Sequence, residues 1–324
     1  MLMSYYVPQP DAVLSCDIAD YPEGIVLPVD KPYRWTSADV IRKLKYAAIR
    51  HFGKKNLKVG HAGTLDPLAT GVLLVCIGPA CRQAQMLQDH DKEYIARIRF
   101  GATTPSYDLE KEVDRSFPYE HITADAVRAV LPAFLGEQEQ VAPLFSAKSV
   151  DGVRAYELAR KLYRSGRQAE LDAAALETLH RSRIVISELE LMDFVEGGSG
   201  ESTVSPESLA TLGQIRGRGP LSRASHDDNW EGSRSDDSGD TVLSPESVAK
   251  TASSRIHVAD TSALGLPEAV IRIACSKGTY IRAFARDLGE ALGSGAHLSG
   301  LIRSRSGDFP LSSALSLDQA LALL

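Results

Sequence analysis

The sequence lacks several features that would assign it to a class at once. It has only four cysteines, Cys16, Cys76, Cys81 and Cys275, in 324 residues, and no CxxC pair, so the spacing indicates neither a zinc site nor a disulfide framework. No apolar run approaches the roughly 20 residues that span a bilayer, and the N-terminus has no basic region followed by an apolar one, as a secretion signal would. These absences favour a cytoplasmic protein without membrane spans.

An excess of basic residues is also missing, because the net charge is −6. This argues against a nucleic-acid partner, since phosphate binding depends on Lys and Arg. However, residues 197–260 hold ten acidic and six basic residues, so a net charge of −4 lies there and only −2 on the rest of the chain. A nearly neutral body can present one basic face, so the composition neither supports nor excludes RNA.

Residues 197–260 also differ in composition, with thirteen serines and few apolar side chains. Such a segment buries too little surface to offset its ordering entropy, which predicts a disordered insertion. The apolar strand pattern that stops at Val195 resumes at Ala269, which places the insertion in a hairpin loop. We therefore expect an N-terminal tail over residues 1–22 and a single domain built from residues 23–196 and 261–324.

Hydrophobic periodicity predicts alternating strands and helices in the rest of the chain. Strands are predicted at residues 25–29, 71–78, 93–100, 184–195 and 269–275, with an Asp-Gly hairpin turn within 149–153. Helices are predicted from Thr36 or Ser37 through Ala48, at residues 80–90, 123–134, 154–165 and 317–323, and after the glycine turn at Gly278, with Tyr280 and Arg282 at the start of the helix.

The first segment that carries chemistry is Gly60-His61-Ala62-Gly63-Thr64-Leu65-Asp66-Pro67-Leu68-Ala69-Thr70-Gly71. Pro67 fixes its own φ and favours an extended conformation at Asp66. The loop thus presents one carboxylate immediately before a buried strand, a common position for catalytic acids. The alternative is a turn Asp that bonds its own backbone, which is the commoner role of an isolated Asp-Pro pair.

The second segment is Cys275-Ser276-Lys277-Gly278-Thr279-Tyr280-Ile281-Arg282. A strand ends at a glycine turn and a helix follows. Tyr280 and Arg282 lie at the start of that helix, where side chains can point into a cleft above a sheet. Taken alone, the segment is an ordinary strand-turn-helix unit.

Together the two segments closely resemble the signature motifs of the bacterial tRNA pseudouridine synthase B family. The pattern G-H-x-G-x-L-D-P-x-A-x-G matches at every fixed position, and C-S-K-G-T-Y-I-R matches in full. Further agreement comes from Asp30-Lys31-Pro32, Lys92-Glu93-Tyr94, Ser146-Ala147-Lys148, the stretch from Gly289 to Leu298, and Leu301 with Arg303. The resemblance covers about residues 23–196 and 265–322.

The resemblance implies an isomerase that converts the uridine of the tRNA TΨC loop, position 55, to pseudouridine. Asp66 would be the catalytic carboxylate, and Arg282 would be its ion-pair partner. Tyr94 would stack on the everted base, and Tyr280 would be the candidate for proton transfer. Whether the carboxylate attacks C1′ of the ribose or first assists deprotonation at C2′ stays open.

Four further residues would bind the substrate. His61 matches the position that fills the gap left by the everted base, and Leu301 matches a wall of the base pocket. Arg82 stands where the family usually has Lys, and either can bind phosphate. Lys277 belongs to the second motif and is expected to contact the RNA.

The fold implied is α+β, a mixed, mostly antiparallel central sheet with flanking helices and an active cleft across its middle. Residues 140–165 would form a thumb that clamps the RNA arm. No metal or organic cofactor is implied, and the expected form is a monomer whose partner is tRNA. Two departures from the family are the serine-rich insertion and the absence of a C-terminal PUA domain after Leu324.

Three alternatives remain at this point. The first is a non-catalytic RNA-binding or tRNA-folding protein on the same scaffold, against which the intact Asp66 argues. The second is the guide-RNA-dependent branch of the superfamily, which relies on a PUA domain. The third is an Asp-dependent glycosidase, but such enzymes pair two carboxylates, whereas Arg282 is the expected partner here.

Overall fold

The computed structural model describes residues 5–143, 181–198 and 256–324, together with two short strands at 149–150 and 153–154. Its centre is a mixed sheet in the order β1-β3-β12-β4-β11-β10-β7, to which β2 and β13 add through β3 and β12. Among the strands that the structure describes, only β3 and β12 pair in parallel, and every other pair is antiparallel. The strands are β1 (Ile25–Lys31), β2 (Val59–Ala62), β3 (Ala69–Ile77), β4 (Lys92–Phe100), β5 (Ala102–Thr103), β6 (Arg115–Ser116), β7 (Gly136–Val141), β8 (Ser149–Val150), β9 (Val153–Arg154), β10 (Arg181–Val195), β11 (Glu268–Cys275), β12 (Ala296–Ser306) and β13 (Phe309–Pro310).

The described residues also form five α-helices and several single 3-10 turns. Helix α1 begins with a capping box, in which Thr36 and Asp39 each bond the other's backbone. Pro132 turns the end of α3 into a 3-10 helix. The helices are α1 (Ser37–His51), α2 (Ala84–Asp89), α3 (Ala124–Val130), α4 (Ile281–Ala291) and α5 (Leu317–Ala322). The 3-10 turns are Ile18–Asp20, Gly78–Gln83, Leu131–Phe134, Ser262–Leu264 and Leu311–Ser313.

Two hydrophobic clusters meet on one face of the sheet. The first joins α1 and α5 to the inward side chains of β1 and β3. The second joins α3 and α4 to β4, β10 and β11. Tyr94 of β4 and Leu301 of β12 pack against both clusters. Helices α1 and α4 therefore flank the same stretch of sheet, with these two side chains between them.

The segment that follows the predicted insertion is fastened to the body. The backbone N–H of Ala259 donates to the carbonyl of Leu109 at 2.8 Å, and Arg34 Nη2 donates to the carbonyl of Ile256 at 2.7 Å. Arg99 Nη1 donates to Thr261 Oγ1 at 2.6 Å. The last residues assigned to the insertion, 256–260, thus contact the domain, whereas 199–255 lie outside the described residues.

The predicted α+β class with a mostly antiparallel sheet is confirmed. So is the expected hairpin partnership across the insertion, because β10 and β11 pair antiparallel over Ile186–Val195 and Glu268–Cys275. Strands β8 and β9 pair as the Asp-Gly turn predicts. The helix predicted at 154–165, the Ser146-Ala147-Lys148 motif and most of the predicted thumb at 140–165 lie outside the described residues.

One prediction about a local element was wrong. The chain from Val59 was interpreted as a polar turn, yet Val59–Ala62 forms strand β2 on the edge of β3. The glycine and histidine in this stretch hide the strand pattern, because β2 is only half-buried until Ala62. The backbone that leads to Asp66 is thus held by the sheet until four residues before it.

Candidate active site

Asp66 lies in the loop between β2 and β3, and several bonds fix that loop. The hydroxyl of buried Ser37, at the start of α1, donates to the carbonyl of Leu65 at 3.1 Å and accepts from the Leu65 N–H at 3.0 Å. On the other side, Lys31 Nζ donates to the carbonyl of Pro67 at 3.1 Å. The Asp66 side chain is 39% exposed. A rigid loop therefore presents this carboxylate to an open space.

Arg282 is the partner of Asp66. It extends from the first turn of α4, and its side chain is only 6% exposed. Its Nε lies 3.0 Å from Asp66 Oδ2, and its Nη2 donates to Oδ1 at 3.3 Å. Its Nη1 donates to the carbonyl of Ser106 at 3.2 Å. The guanidinium thus contacts both carboxylate oxygens, Oδ2 through an ion-pair contact and Oδ1 through a hydrogen bond, which holds the orientation of the carboxylate as well as its charge.

Asp108 completes the group, and the sequence did not reveal it. Its Oδ2 lies 3.8 Å from Arg282 Nε, while its Oδ1 accepts from Ser106 Oγ at 2.6 Å and from the Glu110 N–H at 2.9 Å. Burial raises the pKa of Asp108, and the opposing effect of Arg282 is smaller. Burial alone would lower the pKa of Arg282, but Asp66 and Asp108 hold it above its usual value. Arg282 therefore stays charged between two acids.

A cavity of about 510 Å³ opens beside Asp66, within the range of sites for small ligands. Tyr94, Tyr280, Leu301 and Lys277 line it together with Asp66 and Arg282. Tyr94 and Leu301 come from neighbouring strands, and Tyr280 and Lys277 come from the turn that precedes α4. Six of the eight residues that the sequence nominated therefore meet around one space.

The backbone of Tyr280 is held by a residue from the far edge of the sheet. Gln140 of β7 is buried, its Oε1 accepts from the Tyr280 N–H at 2.8 Å, and its Nε2 donates to the Tyr280 carbonyl at 3.1 Å. This pair of bonds replaces the side-chain cap that the N-terminus of α4 lacks. The tyrosine ring is therefore placed at the cavity by a fixed backbone.

Arg303 also lines the cavity, and the sequence did not reveal its part. Its side chain is fully buried, and Nε donates to the carbonyl of Val72 at 2.6 Å and Nη2 to the carbonyl of Gly63 at 3.1 Å. The Arg303 backbone lies so close to Gly71, whose φ is +97°, that a Cβ there would sit 2.3 Å from the Arg303 carbonyl oxygen. Arg303 thus holds the chain on both sides of Asp66, which explains the need for glycine at position 71.

Two nominated residues do not line the cavity. His61 lies on β2 opposite Val75 and is half-buried. Burial, with a smaller contribution from Arg303, lowers the pKa of His61, so its ring is neutral at pH 7. Arg82 is exposed in the turn before α2. Lys277 does line the cavity, but its Nζ is 2.9 Å from Asp89 Oδ1.

The described residues contain no cluster of three or more His, Cys, Asp or Glu side chains that could hold a metal ion. In the same part of the chain, no helix has the length and apolar character needed to cross a membrane. The charged and aromatic groups around the cavity are carboxylates, guanidinium groups, two ammonium groups and phenols. Chemistry at this site would use an ionised carboxylate with a fixed cation behind it.

Known proteins are similar to this chain in sequence and in fold. A family model described as TruB family pseudouridylate synthase (N terminal domain) matches residues 50–195. A protein from Phocaeicola vulgatus named tRNA pseudouridine synthase B is 41% identical over 299 residues, covering 92% of this chain and 92% of that protein. Another of the same name, from Deinococcus radiodurans, is 34% identical and covers 90% of this chain and 77% of its own length.

The crystal structure of a Cbf5-Nop10-Gar1 complex contains a chain of similar fold, with a TM-score of 0.51 and 20% identity over 97% of this chain and 57% of that one. At this identity the likeness concerns the fold alone. The motif around Asp66, the second motif at Arg282 and the extent of identity to the synthases from two distant bacteria all agree. The chain belongs to the tRNA pseudouridine synthase B family.

Proposed function

We propose that this protein converts the uridine of the tRNA TΨC loop, position 55, to pseudouridine. The observation that carries the proposal is the Asp66–Arg282 pair at the edge of a cavity walled by Tyr94 and Leu301. The site holds the Asp66 carboxylate and the rings of Tyr94 and Tyr280 around a space that suits a nucleotide. The family relationship indicates that the substrate is tRNA, and the Asp66–Arg282 pair supplies the carboxylate that the reaction needs.

The reaction breaks the N-glycosidic bond of the uridine, turns the freed base and rejoins it to the ribose through C5. The electron-poor sugar needs an anionic partner while the base is detached, and the Asp66 carboxylate serves as that partner. A carboxylate oxygen of Asp66 would serve either for attack at C1′ of the ribose or for initial proton removal at C2′. Arg282 holds the carboxylate in one orientation, and its bond to the Ser106 carbonyl holds Arg282 itself.

The other cavity residues position the base. The target uridine must leave the loop stack before Asp66 can reach its ribose. Tyr94 offers a face for stacking, Leu301 closes the pocket against loss of the free uracil, and the Tyr280 hydroxyl is the candidate for moving a proton to or from the base. His61 on β2 would fill the gap in the RNA, and Arg82 and Lys277 would contact phosphates.

The proposed catalytic domain takes up most of the chain. Residues 23–196 and 261–324 form one catalytic domain after an N-terminal segment, residues 1–22, and residues 197–260 form an insertion between two strands of one sheet.

The protein works as a monomer in the cytoplasm and needs no metal or organic cofactor. A single symmetric boundary in a sedimentation-velocity run, at the mass of one chain, would support the monomer, and a dimer mass would refute it.

One experiment tests the function directly. The protein is incubated with an unmodified TΨC stem-loop, and pseudouridine is mapped by carbodiimide treatment and reverse transcription. We expect one modified position with the wild type and none with Asp66→Asn, a loss of at least ~10³-fold in single-turnover rate. The stem-loop affinity of the variant should stay near that of the wild type, because the substitution is nearly isosteric.

The matched control is Asp91→Asn, which removes an exposed acid close in sequence to the cavity residue Asp89 and should leave the rate unchanged. Substantial turnover by Asp66→Asn would exclude the carboxylate role. Tight RNA binding by the wild type without any pseudouridine would favour the non-catalytic RNA-folding alternative.

A further inference from the structure

The basic charge of this acidic chain is concentrated in one segment. Residues 40–65 contain seven Lys or Arg side chains and no Asp or Glu, although the chain as a whole has a net charge of −6. This segment comprises α1, the loop after it and β2. Six of its cations form what we call the basic stripe: Arg42, Lys45, Arg50, Lys54, Lys55 and Lys58.

All six stripe residues are exposed to solvent. On α1, the buried positions Val40, Leu44 and Ala48 face the core, so Arg42, Lys45 and Arg50 project from the opposite side at helical spacing. The remaining three cations follow at the C-terminal end of the helix and in the loop. Tyr46, with 58% of its surface exposed, stands among them, and tyrosine hydroxyl groups are frequent ligands of the RNA backbone.

Most of the stripe is not neutralised within the part of the chain that the structure describes. Only Arg42 has an ion-pair partner there, Asp39 at 2.8 Å. Acidic residues do lie on neighbouring elements, at Asp17 and Asp20 near the end of α1 and at Asp318 on α5, yet none forms an ion pair with a stripe residue. Five cations therefore face the solvent together.

Helix α1, which carries the first three stripe residues, starts beside the Asp66 loop. Ser37, at the first turn of α1, bonds the backbone of Leu65, the neighbour of Asp66. From there the 15-residue helix runs about 22 Å away, and β2 brings the chain back to the Asp66 loop. Helix α1 belongs to the hydrophobic cluster against which the cavity residues Tyr94 and Leu301 pack, so it lies next to the cavity without lining it. The cations extend along the outer side of this helix and into the loop after it.

We propose that the basic stripe binds the phosphate backbone of the double-helical stem that closes the target RNA loop. This rests on the proposed function, because the loop nucleotide must occupy the cavity for the stem to leave the cleft beside α1. A duplex stem offers a continuous row of phosphates, which matches a row of exposed cations better than a compact anion does. Such contacts would position the RNA without reading its sequence.

The test uses the full chain with Lys45→Gln, Arg50→Gln and Lys54→Gln combined. For a stem-loop with a full-length stem, we expect the Kd to rise about tenfold or more, and the slope of log Kd against log salt to fall by about two to three. The rate at saturating RNA should not change, because none of these side chains lines the cavity.

The control is an RNA whose stem is truncated to the base pairs next to the loop. We expect the variant and the wild type to bind this RNA equally, since its stem does not reach the stripe. An equal loss of affinity for both RNAs would mean a general charge effect and would overturn the proposal, as would full affinity for the long stem. If the wild type made no pseudouridine at all, the proposed function would fail, whereas the dependence of affinity on stem length would still decide whether the stripe binds RNA.

Discussion

At the scale of single residues, the orientation of one carboxylate depends on one guanidinium. Arg282 contacts both oxygens of Asp66 and the carbonyl of Ser106 with three different nitrogens. A planar fork can make these contacts at once, but an ammonium group is a point charge that cannot. The charge of Arg282 and its geometry are therefore separable by experiment.

We predict that Arg282→Lys loses most activity although the charge is kept. Misplacement of a reacting group by about 1 Å can cost ~10²-fold in rate, and we expect a fall of at least that size in single-turnover experiments with little change in RNA affinity. The control is Arg286→Lys on the same helix, where the side chain bonds Asp287 and the carbonyl of Val141. A near wild-type rate for Arg282→Lys would contradict the proposed pairing.

Sequence reasoning reached this pair but only half of its surroundings. Asp66 and Arg282 were nominated because each lies in a contiguous motif whose pattern is specific. Asp108 has no such pattern, since it joins the pair only through a fold that brings residues 106–108 against α4. Arg303 was noticed as part of a motif, but its bonds to Gly63 and Val72 depend on the parallel pairing of β3 and β12, which no local signal predicts.

At the scale of elements, the Asp66 loop depends on helix α1. The Ser37 hydroxyl satisfies both the N–H and the carbonyl of buried Leu65. Removing one partner of a buried bond leaves polar groups unpaired, at a cost of about 1–3 kcal/mol. We predict that Ser37→Ala lowers the free energy of unfolding by this amount in urea titrations and also reduces kcat.

The control for this substitution is Ser313→Ala, whose exposed hydroxyl donates only to the carbonyl of Pro310. It should leave both stability and kcat nearly unchanged. If Ser37→Ala lowered stability without any effect on kcat, the link between α1 and the position of Asp66 would be refuted.

Strand β12 provides a prediction about pH. His297 is fully buried, and its Nδ1 lies 2.9 Å from the carbonyl of Ala102, so Nδ1 carries the proton and donates. Burial is the main cause that lowers the pKa of His297 below 6.5. The unfolded chain therefore binds a proton below pH 6.5 that the folded chain does not, and stability falls as the pH drops below that value.

We predict that His297→Asn, which keeps a donor for Ala102, removes this dependence. Below pH 6.5 the wild type should lose up to about 1.4 kcal/mol of stability per pH unit more than the variant, until the pH passes below the pKa of His297 in the folded protein. Chemical denaturation at several pH values measures the difference. Parallel curves for the two proteins would show that His297 titrates alike in the folded and unfolded states.

The elements themselves were predictable where the side chains alternate or recur cleanly. Strand β4 and helix α1 were found for this reason, and the actual bounds differ by a residue or a few. Strand β12 was not predicted as a strand. It contains Gly300 and several polar residues, and its pairing with β4 shifts register after Leu298 and after Arg303, so no single period of two runs through it.

At the scale of the whole molecule, the fold joins two stretches of chain around residues 199–255. The sheet crosses this interruption, because β10 and β11 are neighbours, and the Gly198 N–H donates to the carbonyl of Gly265 at 2.8 Å. Composition predicted an insertion up to residue 260. It could not show that residues 256–261 contact Arg34, Leu109 and Arg99, since these contacts come from distant parts of the sequence.

We therefore predict that two deletions of different length behave differently. Ile256 lies nine residues before Gly265, so it is at most ~32 Å from that residue, and Gly265 is hydrogen-bonded to Gly198. A flexible linker of somewhat more than ten residues can therefore replace residues 199–255. This variant should keep the wild-type turnover, and its melting temperature should hold or rise slightly, because shortening a loop lowers the entropic cost of its closure by only ~0.6 kcal/mol per halving of length. Its affinity for the TΨC stem-loop at low salt should hold or increase, since a net negative segment is gone.

The longer deletion replaces residues 199–264 with a short Gly-Ser turn between Gly198 and Gly265. It also removes residues 256–261, which hydrogen-bond to Arg34, Leu109 and Arg99. Arg99 then loses its bond to Thr261 but keeps its ion pair with Glu268 at 2.9 Å. We expect this variant to melt several degrees below the wild type, because each lost hydrogen bond leaves a polar group unpaired at a cost of about 1–3 kcal/mol. Melting curves and fluorescence-anisotropy titrations of both variants decide the matter. Loss of the melting transition in the shorter deletion, or a tenfold loss of its RNA affinity, would show that residues 199–255 take part in the fold or in RNA recognition. Equal melting temperatures of the two variants would show that the contacts of residues 256–261 contribute little to stability.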